Sequence, residues 1–306
     1  SVHELLEVMT RPTRRQTPAV WCVWALTALF VAVTLKAQAP PQATGRARPR
    51  AHAPAGVFPH SDNCVAWHNN LSTPAGEDVS IGAAWRSTIM ANAARDPYFH
   101  ASVRRETIDH PARSREIQDE CAACHVPMAQ KVAHTQNRLT TILDDPGGPP
   151  PDTHDPLARD GVSCTVCHQI ASEGLGTAAS FNGNFRLHPA RPNGVRDVTG
   201  PFAVDKGRHT IMRSVTGFEQ VEAPHIRQSE LCATCHTLIT EALDRDGRVI
   251  GSLPEQMNYQ EWRHSAFYDE GRSCQSCHMP RAAGPVGVSS VLGEDRDGLS
   301  RHAFIG

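Results

Sequence analysis

The stretch from His225 to Pro280, HIRQSELCATCHTLITEALDRDGRVIGSLPEQMNYQEWRHSAFYDEGRSCQSCHMP, contains the pattern Cys-x-x-Cys-His twice, at Cys232–His236 and Cys274–His278. Two further copies lie upstream, at Cys121–His125 and Cys164–His168. This pattern is the attachment signal of a c-type haem. Two cysteines three positions apart face one side of a helical turn, where their thiols can add to the two vinyl groups of one porphyrin. The histidine that follows is then placed to reach the iron.

Four copies use eight of the ten cysteines, and chance would supply far fewer than one copy in a chain with 10 Cys and 17 His. The cysteines predicted to form thioethers are Cys121, Cys124, Cys164, Cys167, Cys232, Cys235, Cys274 and Cys277. The histidines predicted to bind iron beside them are His125, His168, His236 and His278. Structural zinc is the main alternative, but zinc does not require a histidine directly after each second cysteine. A disulfide framework is a weaker alternative.

A fifth, degenerate site lies at Cys64-Val65-Ala66-Trp67-His68, where Trp67 occupies the place of the second cysteine. Three explanations stay open: a decayed site, a haem held by a single thioether through Cys64 with His68 on its iron, or a sequencing fault. The predicted cofactor is therefore haem c, with four groups, or five if this site also carries one.

A six-coordinate haem iron needs a second axial ligand, usually His or Met. The candidates that the sequence favours for this role are His110, His134, His225, His302 and Met90. For each histidine, a solvent-exposed or hydrogen-bonded ring is the open alternative, and for Met90 it is ordinary packing in a helix. His209 and His264 are the next candidates.

The chain divides into three predicted regions. Residues 1–39 combine Arg14 and Arg15 with an apolar run and an Ala37-Gln38-Ala39 cleavage motif, and they predict a signal peptide or an uncleaved N-terminal anchor. Residues 40–60 are rich in Pro, Ala and Arg and predict a linker. Residues 61–306 form the predicted haem domain, which we expect to continue beyond Gly306.

Composition limits the fold and the partners. Only 6% of the residues are aromatic, and the net charge of −2 gives no basic footprint for nucleic acid. Helical patterns cover 80–94, 101–109 and 113–134, a short hairpin strand is predicted at 248–250, and no stretch predicts a sheet of any size. We therefore expect a mainly α fold with extensive loops, little or no β-sheet, and a core built from stacked haems.

A loose repeat precedes two of the haem motifs. Trp85-Arg86-Ser87 lies upstream of the Cys121 site, and Trp262-Arg263-His264-Ser265 lies upstream of the Cys274 site. Each tryptophan could lie against a porphyrin or pack in the core of an amphipathic helix. Both interpretations stay open.

Several stretches together resemble a known group of proteins: GEDVSIGAAWRSTIMANAARDPY, DECAACHVPMA, DGVSCTVCHQI, ELCATCHTLIT and the segment that ends in GRSCQSCHMP. They resemble the multihaem c-type cytochromes of the superfamily that includes hydroxylamine oxidoreductase, pentahaem nitrite reductase and the tetrahaem carriers of nitrifying bacteria. The resemblance implies an exported multihaem cytochrome c fold with mostly bis-histidine ligation. It also implies that Met90 stands where a ligand histidine is usual and that the segment around His302 supplies a ligand. Trp67 and the absence of a Cys-x-x-Cys-Lys site depart from the pattern.

The sequence thus predicts an electron carrier in the periplasm or outside the cell, soluble or membrane-anchored, with no separate catalytic residues. Its expected partners are other cytochromes or a membrane quinol-linked complex. The rival hypothesis is a multihaem oxidoreductase that acts on a small nitrogen or sulfur compound at a haem with an open distal face.

Overall fold

Short helices joined by long loops make up much of the chain. The computed structural model describes residues 56–145, 148 and 150–306. The α-helices of this part are α1 Asp62–Val65, α2 Ile81–Arg86, α3 Ile89–Asn92, α4 Pro97–Asp109, α5 Ser114–His125, α6 Pro127–Thr135, α7 Cys164–Cys167, α8 Lys206–Thr216, α9 Ser229–Ala233, α10 Asn258–Arg263, α11 Ala266–Asp269 and α12 Cys274–His278. Single 3₁₀ turns lie at Ala93–Arg95, Pro111–Arg113, Asp152–His154, Ala158–Asp160 and Pro224–Arg227.

Three two-stranded sheets accompany these helices. Strand β1 (Arg196–Gly200) pairs in parallel with β2 (Phe218–Glu222), and helix α8 makes the connection between them. Strands β3 (Leu238–Leu243) and β4 (Val249–Gln256) form an antiparallel hairpin, and β5 (Val286–Gly287) pairs with β6 (Asp295–Arg296). Helices hold 40% of the described residues and strands 14%. The prediction of little or no β-sheet is therefore wrong, although the hairpin strand predicted near 248–250 is present.

The interior of the described region is built from side chains of the polypeptide. One cluster of buried apolar residues includes Phe99, Val103 and Ile142, a second is centred on Met128, and a third lies around Leu71. Met128 is completely buried. These three clusters overturn the predicted fold class, a multihaem cytochrome c fold whose core consists of stacked haems. The chain has a mixed helical and sheet scaffold with its own apolar cores.

Local sequence explains where the predicted helices break. The pattern at 80–94 divides into α2, α3 and the following 3₁₀ turn, with Thr88 between the two helices as the N-cap of α3, its side chain accepting from the N–H of Ala91. The pattern at 113–134 divides into α5 and α6 because Pro127 disfavours helical geometry at Val126. Pro97 begins α4 four residues earlier than expected, with Asp96 capping the N–H of Tyr98.

The predicted signal or anchor at 1–39 lies outside the described residues. At the C-terminal end of the predicted linker, Phe58 is buried against the cluster around Met128. Within the described part of the chain, no helix has both the length and the apolar character needed to span a bilayer.

Candidate functional site

Each haem motif contains or ends a helical turn. The motif at 121–125 forms the end of α5, those at 164–168 and 274–278 coincide with α7 and α12, and that at 232–236 overlaps the end of α9. At two motifs the N–H of the histidine donates to the carbonyl of the first cysteine, at 3.1 Å in 164–168 and 3.0 Å in 232–236. This bond places the two thiols and the imidazole on one face of a single turn.

The cysteines of different motifs meet one another. Cys124 lies beside Cys235, and Cys232 lies beside Cys274, whose pKa is lowered to about 6 by its interaction with Cys232. Cys167 and Cys235 both pack against the cluster around Met128. Burial raises the pKa of Cys167 to about 12. Four motifs that are far apart in sequence thus bring their thiols to one region of the protein.

A thiol outside the four motifs also enters this region. Cys64 lies beside Cys164, and the interaction with Cys164, followed by burial, raises the pKa of Cys64. The degenerate site at 64–68 and the motif at 164–168 are therefore neighbours in space, although 100 positions separate their first cysteines.

Two of the four motif histidines are held by the same kind of contact. Nδ1 of His168 donates to the Thr199 carbonyl at 2.6 Å, and Nδ1 of His278 donates to the carbonyl of Ile305. Histidines that bind metal through one ring nitrogen commonly donate the other to a backbone carbonyl, which fixes both the tautomer and the ring orientation. Nε2 of each ring then carries the lone pair that a metal needs. Burial lowers the pKa of His168, which also favours the neutral ring.

The other two motif histidines are placed differently. His125 lies flat against Phe99, with ring centroids 3.9 Å apart and planes within 3°. Its Nδ1 is buried without a hydrogen-bond partner, and burial lowers its pKa, an effect that Asp96 and the Ala93 carbonyl oppose. Burial also lowers the pKa of His236, which lies near His278.

Among the candidate distal ligands, His302 lies beside a motif histidine. Its ring centroid is 6.4 Å from that of His168, and the two planes are within 16°. Burial, followed by the neighbouring His168 and His68, lowers the pKa of His302 to about 4. Nδ1 of His302 contacts the Ser300 carbonyl at 3.0 Å, so Nε2 is the nitrogen left for a further partner.

The remaining candidates have other neighbours. Nε2 of His225 donates to the Ile170 carbonyl at 2.8 Å, and Nε2 of His134 contacts the Asp119 carboxylate at 2.8 Å. His110 follows α4 and has a buried Nδ1 without a partner. Met90 is half-buried in α3, and its carbonyl accepts from the N–H of Val162 at 2.9 Å. The role of these four residues as distal haem ligands stays a prediction.

Trp85 and Trp262, the tryptophans of the loose repeat, each donate a hydrogen bond to the segment just before a haem motif. The sequence does not reveal these contacts. The indole N–H of Trp85 donates to the Val162 carbonyl at 3.0 Å, and that of Trp262 donates to the Arg272 carbonyl at 2.8 Å. In both cases the acceptor lies two residues before the first cysteine of a motif. Trp85 thus contacts the motif at 164–168 and not the one at 121–125 that follows it in sequence.

Gly183 lies where two motifs approach each other. Its N–H donates to the Thr234 carbonyl at 2.7 Å, inside the motif at 232–236, and a Cβ at Gly183 would lie 2.7 Å from the Cβ of Ala123, inside the motif at 121–125. Its φ of +71° is also in the left-handed region. The absence of a side chain therefore allows these two motifs to pack around one backbone segment.

The zinc hypothesis requires several ligands at one point. In residues 56–145, 148 and 150–306, no group of three or more His, Cys, Asp or Glu side chains is arranged to hold a bare metal ion. A porphyrin supplies four nitrogens itself, so a haem iron needs only one or two side chains from the protein.

A cavity of about 570 Å³ lies between Pro111 and Leu139, and none of its lining residues belongs to a haem motif.

Comparison with family models, with curated proteins and with solved structures finds no match for this chain. The resemblance to multihaem cytochromes stays a prediction from the motifs.

Proposed function

We propose that this protein is an exported c-type cytochrome that carries electrons through haems attached covalently at its four Cys-x-x-Cys-His motifs. The observation that supports this most strongly is the convergence of the motif cysteines, with Cys124 against Cys235 and Cys232 against Cys274. Groups attached to neighbouring thiols are themselves close, and closeness is what electron transfer between them requires. When bound, each haem supplies an iron that alternates between Fe(III) and Fe(II).

The residues present fit haem c on grounds that do not depend on the motif alone. The rings of His168 and His278 are each oriented by a backbone carbonyl at Nδ1, as metal-binding histidines commonly are. All eight motif cysteines are without a disulfide, so each thiol is available for a thioether.

The role of the chain in this function is to hold and orient. The thiols tether each porphyrin, and the carbonyls of Thr199 and Ile305 orient two imidazoles with hydrogen on Nδ1. The indoles of Trp85 and Trp262 anchor the segments that lead into two of the motifs. Buried side chains around Met128 exclude water from the region where Cys167 and Cys235 lie. Burial and hydrogen bonding of this kind set the reduction potential of a bound haem.

A reductive titration tests the proposal. The protein, exported from a host that matures c-type cytochromes, should show a Soret band and accept at least four electrons per chain. A Cys274→Ser/Cys277→Ser variant should accept one electron fewer than the wild type, while Ser276→Ala, in the same turn, should match the wild type. A wild-type protein that has no Soret band and accepts no electrons would overturn the proposal.

A further inference from the structure

The turn at 64–68 has the backbone geometry of the intact motifs. The N–H of His68 donates to the Cys64 carbonyl at 3.0 Å, compared with 3.1 Å for His168 and Cys164. Cys64 and His68 therefore lie one helical turn apart on the same face, as the first cysteine and the histidine do in a complete haem motif.

The ring of His68 is held as the rings of His168 and His278 are. Nδ1 of His68 donates to the Val288 carbonyl at 2.7 Å, and Val288 is 220 positions away in sequence. No hydrogen bond to Nε2 of His68 is found among the described residues. Histidines that bind metal almost always donate their other ring nitrogen in this way, which leaves Nε2 for the metal.

The surroundings of the turn belong to the same region as the four motifs. Cys64 lies beside Cys164, and His68 lies close to both His168 and His302. A group attached at Cys64 would therefore neighbour the haem proposed for the motif at 164–168. The turn is not an isolated surface feature.

From these contacts we infer that the degenerate motif is a fifth haem site, in which Cys64 forms the only thioether and His68 binds the iron. The inference rests on the proposed function, because it requires the same cofactor and the same maturation. In the attachment step the thiol adds across one vinyl group. One S–C bond and one C–H bond form, the S–H bond and the vinyl π bond are lost, and no oxidant is needed.

Trp67 gives the fifth haem a distinguishing feature. An indole cannot add to a vinyl group, so the second vinyl stays conjugated with the porphyrin. Conjugation moves the α band of a pyridine haemochrome to longer wavelength than that of a haem with two thioethers. Four ordinary haems and one of this kind should therefore give a broadened α band, displaced towards that of haem b.

A disulfide between Cys64 and Cys164 is the competing outcome. It would form with loss of two hydrogen atoms to an oxidant and would take one thioether from the motif at 164–168. Peptide mass mapping separates the two cases, because the peptide that contains Cys64 carries either the added mass of one haem or a crosslink to the peptide that contains Cys164.

The test uses the holoprotein after extraction of any non-covalent haem with acidified acetone. We expect five covalent haems in the wild type and four in Cys64→Ser, while Asn63→Ala, an exposed change in the same turn, should keep five. Trp67→Cys should also keep five and move the α band to the position for two thioethers.

A wild type with four haems and an unmodified or crosslinked Cys64 would overturn the inference and leave the proposed function standing. A wild type with no haem would overturn both. Mapping of the wild-type peptide decides the matter even if Cys64→Ser does not fold.

Discussion

The Asp160 carboxylate links helix α1, which carries Cys64, to the segment that contains the motif at 164–168. Replacing Asp160 should destabilise both parts. Its carboxylate accepts three hydrogen bonds: from the backbone N–H of Ser61 at 2.8 Å, from the Ser61 hydroxyl at 2.7 Å and from the Ser163 hydroxyl at 2.7 Å. All three residues are buried, with Ser61 exposed by only 1% and Ser163 by 2%. Water therefore cannot readily replace the carboxylate.

The expected magnitude follows from these contacts. A hydrogen bond to a charged acceptor contributes about 1.5–3 kcal/mol, and a buried donor left unpaired costs about 1–3 kcal/mol. Because the three bonds share one acceptor group, they are not additive, and Asp160→Ala should lower the free energy of unfolding by about 3–5 kcal/mol. Asp160→Asn keeps an oxygen for one or two donors and should cost about half as much.

Urea unfolding followed by circular dichroism measures this difference in holoproteins with equal haem content. Asp155→Ala is the matched control, because Asp155 is exposed and accepts one local hydrogen bond, from the N–H of Leu157. The control should lower the free energy of unfolding by about 1 kcal/mol or less. Equal losses for the alanine variants at 155 and 160 would refute the assignment of Asp160 as the link.

Three further predictions concern packing, ligation and pH. Gly183→Ala should lower the free energy of unfolding, measured in urea, by about 2–4 kcal/mol, because the new Cβ would overlap the Ala123 Cβ and the φ of this position is strained for alanine. Gly194→Ala has the same strain, at φ +80°, but open space around the new Cβ, and should cost about 1 kcal/mol. Similar losses for the two variants would contradict the packing of the motifs around Gly183. His302→Ala should create a haem that binds CO in the reduced state, seen as a shift of the Soret band. His154→Ala, which removes an exposed ring beside Asp144, should create none. No CO binding in His302→Ala would remove His302 from the ligands. Burial raises the pKa of Asp152, but a guanidinium partner and a backbone N–H outweigh it, so the folded-state pKa lies below the ordinary value of 3.8. The resulting stabilisation is present above pH 3.8 and is lost as the pH falls through the folded-state pKa of Asp152. Below about pH 4 the melting temperature should therefore fall more steeply for the wild type than for Asp152→Asn. Parallel plots of melting temperature against pH would count against the ion pair.

The local parts of the candidate site could be predicted from the sequence, whereas the non-local parts could not. Residue spacing alone places two thiols and an imidazole on one turn, and the structure shows this turn at Cys164 and at Cys232. The partners of these turns come from distant segments. Nothing in the sequence indicates that the Trp85 indole reaches Val162, or that Val288 holds His68.

The missed strands have a similar explanation. The sequence predicts only the start of β4, at 248–250, because all eight residues of this strand are exposed and lack the alternation of apolar and polar residues that marks a half-buried sheet. Strands β1 and β2 pair in parallel across helix α8, and this pairing leaves no local turn signal of the kind that marks a hairpin. The stacked-haem core was inferred from few aromatic residues, but small and aliphatic side chains such as Ala122, Val126 and Ile142 fill much of the space.

The intact mass of the exported, matured protein tests the central proposal most directly. Because thioether formation is an addition, each attached haem raises the mass of the chain by one complete haem. The account predicts an added mass of at least four haems that survives denaturation and extraction. A chain whose mass shows no added porphyrin after maturation in a competent host would contradict it.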